Sequence, residues 1–278
     1  MTLPAIVAAR RFDAAAHVPF FIGDERVGWI RAFDVDALRR WPSIFSIDDV
    51  VRLQADSVKA RTEALQEVIG ALFAEGKIPG WRDETYAIRN DFDAPPLAFI
   101  ERAASRFFGT MTYAVHLNGI VKYRDKAPQL WIARRSDTKA TDPGMLDNVV
   151  AGGIGSGFEL MPTLVKECWE EAGMSAELAS TATPGRTFHV LQSLPEGTQA
   201  EQIFVYDVSL PPDFTPRNQD GEVGEHRLAR MEDVARWIEE GALTVDASLA
   251  TLDCMLRHRW IDEDACEGIG VLFDPPQI

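Results

Sequence analysis

Apolar positions along this chain repeat with two different periods. Over residues 56–75 they recur at three and four, with Leu65, Val68, Ile69, Leu72 and Phe73 forming one stripe. That spacing predicts a buried helical face. Gly76 and Pro79 end it. Residues 97–108 follow Pro95-Pro96 and read as a second helix with Leu97, Ile100, Ala103, Ala104 and Phe107 available for packing, stopped by Gly109. Residues 20–30 read as two short strands around Gly23-Asp24, and 81–88 as another strand. From Thr110 the texture changes to alternation. MTYAVHLNGIVKY and QLWIARR predict a hairpin with its turn at 126–128. Further strands are expected at 187–194, 202–210 and 222–228, and helices at 231–240, 246–260 and 263–272. The pattern divides the chain into an accessory α+β unit at 1–110 and a second unit at 111–278. Periodicity alone assigns the latter to an α+β or α/β class.

Between those strands lies GGIGSGFELMPTLVKECWEEAGM, residues 152–174. It reads as a glycine-rich turn, a helix and a glycine stop. Glu167 stands one turn from both Glu170 and Glu171, so three carboxylates share one helical face. Like charges at this spacing repel, and a hard divalent cation reverses the sign of that interaction.

The net charge of −15 argues against non-specific nucleic-acid binding. It leaves room for a small anionic substrate held by a metal and a few local cations. Three scattered cysteines, Cys168, Cys254 and Cys266, point to free thiols in a reducing compartment. Cys168 is expected as a core residue and not as a nucleophile. No apolar run reaches membrane-spanning length. The apolar IVAA precedes Arg10 and Arg11, the reverse of a signal peptide. The expected location is cytoplasmic. The five histidines form no ligand pair and are expected to pack or face solvent, and Trp169 is expected in the core.

The 152–174 segment resembles the Nudix box: G, five residues, E, seven residues, R-E, an aliphatic, any residue, E-E, any residue, G, an aliphatic. Gly152 takes the first glycine position, and Glu167, Glu170 and Glu171 take the metal-binding acids. Phe158 stands where the first Glu belongs, Glu159 falls one residue late, and Lys166 replaces the Arg. The resemblance implies a Nudix α/β/α sandwich with a mixed sheet and a Mg2+ (or Mn2+) site on those acids and the Gly152 carbonyl.

Outside the box, RRSDTKATDPG resembles the approach to the box in a Nudix subgroup that includes isopentenyl-diphosphate isomerases. By that likeness Arg135 and Lys139 face substrate phosphate, as a planar fork and a point charge can, while Arg134 points to the opposite strand face. A late acidic cluster offers Glu222 and Glu225 as further metal ligand or general base, Glu222 first. The order HLNG, LWIARRS, PGMLDN, VAGGI and KECWEEAG, after an N-terminal module, is similar to Nudix proteins related to the domain fused to thiamine pyrophosphokinase in some eukaryotes. This implies a pyrophosphohydrolase acting on a small-molecule diphosphate of thiamine type, including damaged forms. The N-terminal unit would cover the heterocycle or form a homodimer contact. Two other readings remain open: a ligand-binding module without turnover, favoured by Phe158 and Lys166, and an isoprenoid diphosphate isomerase.

Overall fold

The computed structural model describes residues 3–276, with the side chains of 263 and 265 left aside. Its N-terminal half begins with a short helix, α1 (Pro4–Ala8). Strands β1 (His17–Ile22) and β2 (Glu25–Arg31) follow, joined at the expected Gly23-Asp24 turn. After a one-turn helix, α2 (Val35–Leu38), come the short β3 (Phe45–Ile47) and β4 (Val51–Leu53). These strands make one sheet in the order β2-β1-β4-β3. The long helix α3 (Val58–Ala74) is capped by Ser57, whose hydroxyl accepts from the Ala60 N–H at 3.2 Å. It buries Leu65, Val68, Ile69 and Leu72 beside Phe20, Phe107 and Phe108. Phe73 departs from the predicted stripe. Adjacent helical positions lie about 100° apart, and here Phe73 turns out to Trp81, ring centroids 4.9 Å apart.

The predicted helix over 97–108 splits. Ala98–Glu101 is a strand, β6, paired antiparallel with β5 (Thr85–Ile88), and only Arg102–Phe108 is helical, as α4. The Glu101 carboxylate accepts from Ala103 N–H at 3.3 Å and from Arg82 N–H at 3.0 Å, so the helix starts one turn later. Strand β5 is also shorter than the predicted 81–88, because Asp83 turns the chain at φ 59°.

The second half carries a seven-stranded mixed sheet. Its strands are β7 (Met111–Val121), β8 (Gln129–Arg135), β9 (Leu146–Asn148), β10 (Val150–Gly153), β11 (Thr183–Leu194), β12 (Gly197–Leu210) and β13 (Val223–Arg230). The main order is β11-β12-β7-β8-β13, with β10 on β7 and β9 on β8. Strands β7 and β12 run parallel along their length, and the predicted β7–β8 hairpin is present. Strands β9 and β10, of three and four residues, are too short to show a period in the sequence.

Helix α5 (Leu160–Ala172) covers one face of this sheet, packing Leu164, Cys168 and Ala172 on Tyr113, Val115 and Leu117. Gly173 ends it at φ 61°. A single turn, α6 (Ala176–Ala179), follows it. Helices α7 (Met231–Glu239) and α8 (Val245–Arg257) cover the other face, with Leu249, Leu252 and Met255 against Val190, Ile203 and Val205. This is an α/β/α sandwich preceded by a separate α+β domain. The helix expected at 263–272 is two 3-10 turns separated by Gly268 at φ 86°. Among the described residues no helix is long and apolar enough to cross a membrane.

The two halves meet through backbone as well as side chains. Leu191 and Ser193 N–H donate to the Ala9 and Arg11 carbonyls at 2.9 and 2.8 Å. Trp29 packs on Leu191 and Ala200. Gly28 and Gly109 let β2 and the end of α4 touch backbone to backbone, and a Cβ on Gly109 would overlap the Trp29 backbone. Gly109 also has φ +60°. Left-handed strain and forced overpacking together predict that Gly109→Ala destabilises the protein by about 2–4 kcal/mol. Chemical denaturation measures this, and an unchanged midpoint would mean that the interdomain packing yields freely.

Candidate functional site

Helix α5 presents its acids to strand β10. Glu171 is buried, and its carboxylate accepts from the Ala151 N–H at 2.8 Å. Burial pushes its carboxyl well above the ordinary value of 4.5, although the Ala151 N–H and Lys139 pull the other way. Glu167 lies against Gly152, where any Cβ would overlap its side chain. Burial also raises the Glu167 carboxyl, opposed by Lys166 and reinforced by Glu170 and Glu222. Glu170 is the most exposed of the three, at 34%. The Lys166 ammonium bridges Glu167 at 3.1 Å and Glu170 at 2.5 Å. Burial alone would lower its pKa, but the two carboxylates hold it above the ordinary lysine value.

Glu222, at the entry to β13, is brought to this helix. Its carboxylate pairs with the Lys139 ammonium and with Arg82 at 3.5 Å. Lys139, Asp147, Glu171 and Glu222 line one small gap. Burial raises the Glu222 carboxyl, yet Lys139, Arg82 and Arg102 outweigh it and hold it below the usual carboxylate value. Glu225 does not reach the helix. It is half exposed, reaches to Arg227 at 3.2 Å and lies outside the lining of both cavities. The bulge between Val223 and Glu225 turns its side chain away.

Arg135 is engaged at the rim. Its Nη1 donates to Asp147 at 2.8 Å, its Nη2 to the Thr141 carbonyl at 2.8 Å and its Nε to the Asp142 carbonyl at 3.2 Å. It braces the 141–142 loop and offers phosphate no free fork. Arg134 is tied to Asp137 at 2.8 Å. Phe158 and Glu159 stand exposed at the entry to α5. Trp169 is 57% exposed, not in the core, because the buried side of α5 runs through Leu164, Cys168 and Ala172. Cys168 is buried, and burial pushes its thiol up to about 12. All three cysteines are buried and none lines either cavity, so no thiol acid faces the cleft.

Beside Gly152 and Gly153 opens a cleft of about 790 Å³. Residues from both halves of the chain line it, and sequence reasoning named few of them. The N-terminal domain supplies Arg82, Tyr86 and Arg102. The Tyr86 hydroxyl abuts Gly153, and the Thr85 carbonyl accepts from Ser156 N–H at 2.8 Å, pinning the glycine-rich loop. Arg102 is held by Glu84 at 2.8 Å. The sandwich supplies His116, bonded to Asn148 at 2.9 Å, and Asp246. Apart from His116, which opens the HLNG run, none of these sits in a recognisable motif; only the fold collects them.

The donor set fits a hard divalent cation. Glu167, Glu170 and Glu171 share one turn, and burial, reinforced by the Glu170 and Glu222 charges, raises the Glu167 carboxyl, a setting that a bound cation stabilises. Lys166 supplies one positive charge from the solvent side. A second group of possible metal donors, Asp207, Cys254 and His258, is engaged elsewhere: Asp207 accepts from Arg257 at 2.8 Å and contacts His258 at 2.9 Å.

Two outcomes follow from this geometry. Gly152→Ala forces the Glu167 side chain aside and is expected to destabilise the fold by about 1–3 kcal/mol in urea. Wild-type stability would show that the carboxylate moves freely. Glu171 keeps a proton in the metal-free fold at pH values where the unfolded chain has lost it. Its stabilising share is therefore full below the unfolded value and disappears as pH rises through the raised folded value. Metal-free Glu171→Gln should accordingly lose less stability than wild type as pH rises above the ordinary carboxylate value of 4.5. Parallel pH profiles would contradict this.

Comparison with known proteins bears on the whole chain. The family model described as "NUDIX domain" matches residues 118–248, and a domain of unknown function (DUF4743) matches residues 2–112. "Nudix hydrolase 24, chloroplastic" of Arabidopsis thaliana is 38% identical over 247 residues, covering 87% of this chain and 67% of that protein. "Nudix hydrolase 20, chloroplastic" of the same plant is 37% identical, covering 88% and 68%. The "Uncharacterized protein YJR142W" of Saccharomyces cerevisiae is 26% identical, covering 85% and 75%. The chain belongs to the Nudix hydrolase family and is a hydrolase of pyrophosphate bonds.

Proposed function

We propose that this hydrolase is Mg2+-dependent and cleaves the diphosphate of a small molecule of thiamine diphosphate type. The observation that carries the reading is the convergence of Glu222 on the acids of α5 at the mouth of a cleft rich in arginine. Nudix hydrolases generally use divalent metals, and here Glu167, Glu170 and Glu171 would hold one or more. When bound, such an ion supplies charge neutralisation at the phosphates and a lowered pKa for a nearby water.

The chain's own residues do the rest. Glu222 is held ionised by Lys139 and Arg82, so it can take a proton at neutral pH. Proton transfer to Glu222 would free Lys139 to face the phosphate oxygens. Arg82 and Arg102 would bind those oxygens from the N-terminal side, while Arg135 keeps the rim in place. Water adds to one phosphorus as the bridging P–O bond breaks. The products are a monophosphate ester, inorganic phosphate and one proton. Phe158 stands exposed at the position of the box's first glutamate, and no step above uses that position.

The chain-long resemblance supports the thiamine-type substrate, and a cleft that offers acids as well as cations is compatible with it. The test is phosphate release from thiamine diphosphate and its oxo derivative with Mg2+. Glu170→Gln and Glu222→Gln are each expected to lower kcat by about 10²-fold or more. Chelation with EDTA should abolish turnover. Wild-type rates in Glu170→Gln would sink the metal assignment, and no release from either diphosphate would sink the substrate assignment.

A further inference from the structure

Across the sheet from the acid helix, the same cleft contains a second group of carboxylates that hydrolysis does not use. Strand β7 separates β10 from β12. Two strand spacings place β12 roughly 10 Å from Gly152 and Gly153. There Gln192 donates to the Gln199 carbonyl oxygen at 2.7 Å, which fixes the orientation of the Gln199 amide. The Gln199 NH2 then donates to Glu201 at 2.6 Å and to Asp246 Oδ2 at 3.1 Å. One neutral amide thus serves two acids. Among the described residues no Lys, Arg or His forms an ion pair with either carboxylate.

Asp246 Oδ1 is shielded from solvent and has no hydrogen-bond partner. The hydroxyls of Ser248 and Thr198, each on a residue 1% exposed, also lack partners and line the cleft. Buried polar atoms are nearly always paired in native folds. Asp246 Oδ1 needs a donor, and the two hydroxyls can each accept or donate, so this end of the cleft suits a ligand that carries N–H groups. The Arg102 charge reaches Glu201, but no cation acts on Asp246, so a neutral apolar group would leave the Asp246 acceptor unrelieved.

We propose that Asp246, with Glu201 beside it, anchors a cationic, amino-bearing nitrogen heterocycle as the organic half of the diphosphate substrate, a role that rests on the diphosphate reading above. Asp246 and Gly152 line the same cleft, so one bound molecule can reach both. Burial together with the Glu201 charge also pushes the Asp246 carboxyl well above its ordinary value. A donor cation relieves that same repulsion. Asp246 is thereby a specificity-determining residue, distinct from the groups at the phosphates.

The test compares two diphosphates of different organic charge and adds a titration that needs no turnover. Thiamine diphosphate carries a cationic, amino-bearing heterocycle; isopentenyl diphosphate carries a neutral alkenyl chain. In Asp246→Asn, the ratio of kcat/KM for the first over the second is expected to fall about ten-fold or more. Glu201→Gln should move the ratio in the same direction. Unphosphorylated thiamine, titrated calorimetrically into the full chain without metal, should bind wild type and bind Asp246→Asn about ten-fold more weakly. An unchanged ratio in folded variants that still hydrolyse both diphosphates overturns the anchor and leaves the hydrolase reading standing. Failure of wild type to cleave either diphosphate overturns that reading, and thiamine binding then decides the anchor alone. Equal affinity in wild type and variant, or no binding to wild type, overturns it.

Discussion

The contact between helix α5 and strand β10 is the constraint on which the site depends. A carboxylate, Glu171, is buried and held by the Ala151 N–H, while Glu167 fills the space that a side chain at 152 would occupy. Burying an acid is costly unless it is hydrogen-bonded or paired. The fold accepts that cost twice within one helical turn, and the packing of Leu164, Cys168 and Ala172 on the sheet offsets it. The result is a helix whose acids cannot relax apart. That is a poor surface helix and a good cage for a cation.

The N-terminal domain is part of this arrangement and not an appendage. It pins the glycine-rich loop through Thr85, presses Tyr86 onto Gly153 and places Arg82 beside Glu222. Its own core closes on Phe20, Phe107 and Phe108, and glycines at 28 and 109 let it approach the sheet at backbone distance. Rigid scaffolds place charged groups more accurately than loops do. Here a second domain provides the rigid wall, so cations and acids face each other across a cleft that neither half forms alone.

Charge is sorted within that cleft. Lysine and arginine gather near the box helix, where Lys139 and Arg82 hold Glu222 ionised. Across β7, Glu201 and Asp246 share a single amide donor. A strongly acidic chain thus sets a few cations beside its box helix and keeps Asp246, with no cation of its own, in the same cleft. Net charge described the whole molecule and could not show this division.

The sequence by itself determined the elements with a strong period and the chemistry with a fixed spacing. The α3 stripe, the β7–β8 hairpin and the three acids of α5 were legible because helical and strand periods map directly onto faces. It misjudged 97–108, where the Glu101 cap and pairing with β5 override an apolar pattern that suits a helix. It also misjudged Trp169, because a one-residue step turns a helical side chain by about 100°. Of the two late acids, only the tertiary structure could choose, since the bulge in β13 decides which one meets Lys139. Tyr86, Arg82, Gln199 and Asp246 were invisible to spacing for a simple reason. They are joined by contacts between segments distant in the chain, and local periodicity carries no record of such contacts.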